Sequence, residues 1–225
     1  GYKSWRRLVV EALYDQPFAH RLIVLDGNTG TAKTEVLVRL AARGVQVVDL
    51  EGLANHRGSL FGHMGEQPSQ KAFEGRLALA LARLDPSRPV VVEAESAKVG
   101  ECRLPPKLWR AMVTAPRISI EAPRRARAAY LVRAYADLVA DVARLDGVVA
   151  SLAPAHPREV IAEWRAMVVA GAFVDLAEGL MARHYDPRYG KHRARMDAPV
   201  TEVAVEGLDD LEGLADRIAG LIAAH

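Results

Sequence analysis

Residues Arg21-Leu-Ile-Val-Leu-Asp26 run straight into Gly27-Asn-Thr-Gly-Thr-Ala-Lys-Thr34, an apolar strand-like run followed by a glycine-bearing loop that ends in Lys-Thr. Such a loop, closing a strand and opening a helix, aims successive backbone N–H groups at one spot and adds the positive end of a helix dipole, so it cradles phosphate. Gly27, Asn28, Thr29, Gly30, Thr31, Ala32, Lys33 and Thr34 are therefore the expected phosphate-binding residues. Lys33 would reach the terminal phosphates and the Thr34 hydroxyl would sit on Mg²⁺. The usual pattern has Gly before the lysine. Ala32 stands there instead, and it is accommodated if it takes the negative φ of a first helical turn.

Outward from the loop, short β-rich runs alternate with helix-like segments, the pattern of a parallel sheet covered by helices. Strands are expected at Leu22–Leu25, Val45–Asp49, Val90–Glu93, Arg117–Ile120 and Val203–Val205. A helix from Lys33 to Arg43 ends at Gly44, a suitable C-cap. The stretch from Glu51 to Gln70 reads as a long irregular loop, the kind that carries function in compact domains. Residues 123–145 and 157–184 turn helical, with Leu131, Leu138 and Val142 on one face. The fold class is α/β: a P-loop NTPase-like parallel sheet flanked by helices, with a helical C-terminal part. The expected organisation is a single P-loop domain over 1–225, within which 123–195 is a helical lid or, as its interleaved basic and aromatic residues (Arg183 to Arg195 with Tyr185, Tyr189 and His192) suggest, a tRNA-contacting subregion.

The chain has 225 residues, half of them hydrophobic and 26% charged, fractions that belong to a globular protein with a sizeable core. Its longest apolar run, Ala166 to Val174, is far short of the roughly 18 residues a membrane span requires, so a soluble, cytoplasmic protein is expected. One cysteine, Cys102, excludes an internal disulfide, and no Cys/His set has zinc spacing. A metal, if used, would arrive with phosphates. Net charge is only +2, so local basic patches matter more than the total.

Several side chains are placed to do chemistry. Glu93 and Glu95 close the third strand and compete to hold Mg²⁺. Asp49 and Glu51 close its neighbour and suit a general base or an outer acid. Arg57 suits a bidentate phosphate clamp, with His56 and Ser59 beside it. Gln67, Ser69 and Gln70 suit a base edge or sugar, and Ser69 also suits a helix N-cap. Arg124, Arg125 and Arg127 open a helix as lid arginines do. Arg183, Arg188, Lys191, Arg193 and Arg195 interleave with Tyr185, Tyr189 and His192, a mixture that suits a tRNA strand, whose phosphates need cations and whose unstacked bases stack on rings.

Taken in order, Gly1-Tyr-Lys-Ser4, the loop from Asp26, Asp49-Leu-Glu-Gly-Leu-Ala-Asn-His-Arg-Gly-Ser59, Phe61-Gly62, Gln67-Pro-Ser-Gln70, Glu93-Ala-Glu-Ser96, Leu104-Pro105 and His184-Tyr-Asp-Pro187 resemble the C-terminal P-loop half of bacterial tRNA 2-selenouridine synthases. The resemblance implies exchange of the sulfur of wobble 2-thiouridine for selenium from selenophosphate, through an S-geranylated intermediate made from geranyl diphosphate. It implies Lys33, Glu95, Arg57 and His56 as catalytic residues, with Glu95 favoured over Glu93 because Glu-Ser is the family-like pair. Thr34 and Glu95 would hold the metal, and Arg127 is the lid arginine that best matches the family. The implied tRNA-binding set is Arg183, Arg188, Lys191, Arg193 and Tyr185. The implied partners are tRNA, a phosphate-bearing small molecule and a rhodanese-like domain, N-terminal or in trans. The chain would then be an excised domain or half of a split enzyme. The residues alone also admit a small-molecule kinase or NTPase using ATP, and a tRNA-binding module with a vestigial loop.

Overall fold

A computed structural model describes residues 1–57, 65–193 and 198–224, without the side chains of 191–193. Ser59 and Arg195, and the side chains of Lys191, His192 and Arg193, lie outside it.

The chain opens with α1 (Tyr2–Val10), continued by a wider turn to Asp15. It then lays down β1 (Leu22–Gly27), α2 (Lys33–Ala42), β2 (Gln46–Val48), α3 (Leu50–Ala54), α4 (Gln70–Ala82) and β3 (Val90–Glu93). A two-residue-per-strand hairpin, β4 (Lys98–Val99) with β5 (Cys102–Arg103), leads to α5 (Pro106–Thr114) and β6 (Arg117–Glu121). The helical part follows as α6 (Arg124–Ala134), α7 (Ala136–Ala140), α8 (Val142–Ala150), α9 (Arg158–Ala170), α10 (Phe173–Leu180) and α11 (Asp186–Arg193), before β7 (Val200–Ala204) and α12 (Leu211–Ala223).

The main sheet runs β2-β3-β1-β6-β7 with every pairing parallel, as the sequence predicts. β1 is central and buried at all six positions, the reason it reads as an unbroken apolar run instead of an alternation. Alternate residues feed opposite cores. Leu22 and Val24 pack with Val90 and Val92 beneath α1, α4 and α5. Ile23 and Leu25 pack with Val91, Ile118 and Ile120 beneath α2 and α12. A third core, centred on the fully buried Trp164, belongs to α7 through α10. Among the described residues no helix is long and apolar enough to cross a membrane.

At the carboxyl end of β1 the loop is held from below. Asp26 accepts from Gly27 N at 2.7 Å and pairs with Arg117 Nε at 3.0 Å, both side chains buried. Gly27 and Gly30 take φ of +149° and +86°. A Cβ on Gly27 would lie 2.4 Å from Thr31 Oγ1, and one on Gly30 would lie 2.9 Å from Arg127 O. Both positions therefore require glycine.

Ala32 departs from expectation. Its φ is +60° and ψ 25°, the left-handed region, not the negative φ of a first helical turn. The chain must reverse between the buried Thr31 and the start of α2, and the Ala32 carbonyl accepts the first helical bond from Val36 N at 3.0 Å. For a residue with a Cβ this costs on the order of 1 kcal/mol. The methyl is buried against the α2 core, which offsets about as much.

A candidate phosphate site joined to an apolar cavity

The loop opens onto a cavity floored by Thr29 to Thr34 and walled by Glu51, Arg57, Tyr130, Tyr135, Tyr185 and Tyr189. Lys33 Nζ donates to Gly27 O at 2.8 Å and lies 5.7 Å from the centre of the Tyr189 ring. The ammonium is thus tethered over the loop by its own backbone, beside the point where the N–H groups converge. The structure brings Arg57 to the same cavity, its guanidinium 4.9 Å from the Tyr135 ring and 3.2 Å from Asp137. His56 is buried and does not line the cavity.

Four acids gather opposite Lys33, each in a different role. Asp49 caps α3, accepting from Gly52 N at 2.7 Å. Glu93, the last residue of β3, is buried; one carboxyl oxygen accepts from Glu51 N at 2.7 Å and the other has no partner among the described residues. Burial, with Asp49 and Glu51 nearby, pushes its pKa well above the usual range. Glu93 is therefore a buried post under α3 whose surroundings disfavour its ionised form. Glu51 accepts from Thr34 Oγ1 at 2.9 Å and shares a hydrogen bond with Glu95. Desolvation, then the Glu51 carboxylate, raises Glu95 to about 8, so at neutral pH the pair holds a proton between two carboxyl groups.

Among the described residues no three Asp, Glu, His or Cys side chains form a metal cage. Oxygen donors from Thr34, Glu51 and Glu95 suit instead a hard cation that arrives with phosphates, since Mg²⁺ commonly takes one or two carboxylates and leaves the rest to phosphate and water.

A pH consequence follows. Glu95 is harder to ionise in the folded chain than in the unfolded one, so its contribution to stability is complete below about pH 4.5 and is lost as pH rises towards 8. Glu95→Gln keeps the donor to Glu51 and removes the titration. In chelator-containing buffer the variant is expected to match wild type in urea unfolding near pH 4.5 and to exceed it by about 1–3 kcal/mol at pH 8.5. A difference independent of pH would refute the shared proton.

Arg127 is not free for a ligand. Its Nη1 donates to Thr29 O at 2.9 Å, and its two terminal nitrogens grip Asp186 at 3.0 Å each. It straps the loop to the start of α11. The expected tRNA contacts are scattered. Arg183 is exposed and paired with Glu163 at 2.7 Å. Arg188 donates to His184 Nε2 at 2.7 Å. Because arginine only donates, that nitrogen accepts, and His184 Nδ1–H must donate to His156 Nε2 at 2.8 Å. Burial and Arg188 lower His184 to about 4, so this imidazole stays neutral beside the Arg188 cation. Tyr185, expected as an outward stacking ring, lines the cavity. Gln67 and Gln70 brace α4 and the hairpin by bonds to Ala54 O and Arg103 O at 2.8 Å, and Ser69 caps α4.

One feature was not visible in the sequence. Thr29, Leu131, Tyr135 and Tyr185 line both the phosphate cavity and a second, almost wholly apolar one. This second cavity runs between α6, α7 and α10, where Leu138, Phe173, Leu176 and Leu180 face it. The 3.6-residue spacing of Phe173, Leu176 and Leu180 marks an apolar face, but nothing in that spacing tells a filled face from a hollow one.

Residues 20–153 match the family model described as the tRNA 2-selenouridine synthase AAA domain. A tRNA 2-selenouridine synthase from Hahella chejuensis is 42% identical over 139 residues, covering 60% of this chain and 36% of that protein. One from Pseudomonas savastanoi pv. phaseolicola is 32% identical over 96% of this chain and 66% of that protein. The first of these matches thus spans about a third of its relative's length. The full-length tRNA isopentenylpyrophosphate transferase from Bacillus halodurans aligns over 91% of this chain and 97% of that one at 12% identity and TM-score 0.43, a likeness too loose to bear on function.

Proposed function

Because the chain belongs to the tRNA 2-selenouridine synthase AAA family, we propose that it serves the modification of wobble 2-thiouridine in tRNA to 2-selenouridine, holding geranyl diphosphate for the S-geranylation stage. The observation that carries this is the shared mouth of the two cavities, Thr29, Leu131, Tyr135 and Tyr185. A cradle for phosphate opening directly onto an apolar slot fits a ligand with a charged head and a hydrocarbon tail. A nucleoside triphosphate has no use for the slot, and selenophosphate is too small to fill it.

In the proposed step the thiouridine sulfur bonds to C1 of the prenyl group as the C1–O bond breaks. The diphosphate leaves with that electron pair, and the N3 proton of the base passes to solvent. Loop N–H groups and the Lys33 ammonium stabilise charge on the departing diphosphate, which grows in the transition state and is therefore worth more there than in the ground state. Mg²⁺, when bound by Thr34, Glu51 and Glu95, would supply further positive charge at the same oxygens. Arg57 neutralises the outer phosphate by exchanging Asp137 for it, a trade that costs little because a half-exposed pair is worth about 0–1 kcal/mol. The 123–195 region would close over the tail and offer tRNA its exposed arginines. Selenophosphate and a rhodanese-like partner enter at the later exchange of sulfur for selenium.

Calorimetry on this chain tests the reading. Geranyl diphosphate is expected to bind with a negative heat-capacity change, the mark of apolar burial, and more tightly than inorganic diphosphate. ATP-Mg²⁺ binding with turnover and no preference for the prenyl ligand would move the assignment to a kinase or NTPase. Tight tRNA binding with no affinity for any phosphate ligand would move it to a tRNA-binding module.

A further inference from the structure

The row of residues on and just after α10 that lines the apolar slot leads away from the phosphate loop, and contacts place its two ends. At the loop end Met181 Sδ lies 3.3 Å from Arg127 Nη1, which itself donates to Thr29 O. At the other end Phe173 begins α10, its Cε2 4.0 Å from where a Cβ on Gly171 would sit, against the turn that joins α9 to α10. Between them α10 presents Phe173, Leu176, Ala177 and Leu180 to the slot, and Met181, which opens the following turn, continues the row. That face spans about 12 Å at 1.5 Å per residue. Ala177 alone in this row has no atom beyond Cβ, so the helix intrudes least on the slot at mid-length. The large ring of Phe173 stands at its end.

We propose that α10 is a ruler for the donor's tail, with Ala177 as the gap that lets a prenyl chain pass the midpoint and Phe173 as the stop that sets its length. The inference rests on the prenyl-diphosphate reading and adds the residues that select among prenyl lengths. A side chain longer than alanine at 177 would fill the slot and admit only a five-carbon tail. Removing the ring at 173 would lengthen it. Each methylene buried or excluded changes affinity about fourfold, so one isoprene unit is a large signal.

The test is the affinity of the chain for dimethylallyl, geranyl and farnesyl diphosphates, with inorganic diphosphate as the headgroup-only probe and as the check that each variant is folded. Ala177→Leu is expected to lose geranyl binding at least tenfold while keeping dimethylallyl and inorganic diphosphate. Phe173→Ala is expected to gain at least tenfold for farnesyl relative to geranyl. If both variants bind inorganic diphosphate normally and keep the wild-type preference for length, the ruler is wrong although the prenyl reading stands. Wild type binding geranyl no better than inorganic diphosphate would instead overturn the reading beneath it. Should Ala177→Leu lose inorganic diphosphate as well, Phe173→Ala decides the matter from the opposite direction.

Discussion

Lys33→Ala is expected to lower S-geranylation of thiouridine-bearing tRNA at least 10²-fold, with most of the loss in kcat. Among the described residues Lys33 is the one ammonium over the loop, tethered to Gly27 O at 2.8 Å and close to Glu51 and Glu95. Charge on a departing diphosphate is larger in the transition state than in the bound donor. Removing a donor that meets developing charge costs about 10²–10³ in rate, whereas a merely ground-state contact would raise KM and spare kcat. The fold should survive, because the Nζ hydrogen bond to Gly27 O is only part-buried and losing one such bond costs about 1–3 kcal/mol. Single-turnover kinetics with geranyl diphosphate, alongside thermal unfolding, separates these effects. Wild-type turnover in a folded Lys33→Ala protein would remove the loop from the chemistry.

The loop and the strands around it were legible for a physical reason. β1 and β3 are buried on both faces, so each reads as an apolar run with a defined start; β6, Arg117-Ile-Ser-Ile-Glu121, reads instead as an alternation, because Arg117 and Ser119 are buried polar residues. Gly44, at φ +77°, ends α2 as the C-cap reading expects. The same reading failed at α3, because Leu50-Glu-Gly-Leu-Ala54 contains a helix-breaking glycine and is held by things outside itself: the Asp49 cap and the buried Glu93 under Glu51 N. α1 and the β4–β5 hairpin were likewise too short or too polar to register. At the site, Lys33, Thr34 and Arg57, singled out in the sequence, line one cavity, and Glu95 bonds to Glu51 in its wall. Nothing in the sequence hints that Glu51 stands between Thr34 and Glu95, since that depends on the turn of α3. Tyr185 shows a different limit. The wide turn Met181–Tyr185, in which Asp186 N reaches Met181 O, adds a residue to the helical path and rotates the face after it. A ring read as outward is thereby turned into the cavity.

Arg127→Met is expected to destabilise the chain by about 3–5 kcal/mol and to weaken inorganic diphosphate binding together with stability. A helix-opening arginine near a phosphate loop reads as a ligand, but its partner Asp186 lies 59 residues away in sequence, where local pattern has no reach. The pair is buried, with 5% and 15% of the two side chains exposed. Breaking such a pair strands a charge in a poorly solvated place, which is the source of the large cost. Arg124, at 3.4 Å from Asp186, is too exposed to compensate fully. The strap also joins Thr29 to the start of α11, the helix that brings Tyr189 over Lys33. Loosening it should therefore let the cavity's wall move away from its floor. Asp186→Asn, which keeps an acceptor, should cost less than Arg127→Met, and the double variant should cost less than the sum by about 1–3 kcal/mol, the mark of two residues sharing one interaction. Urea unfolding of the three variants measures that coupling. If Arg127→Met instead unfolds like wild type and loses only diphosphate affinity, the guanidinium is a phosphate ligand after all, and the strap to Asp186 is what it releases to reach one.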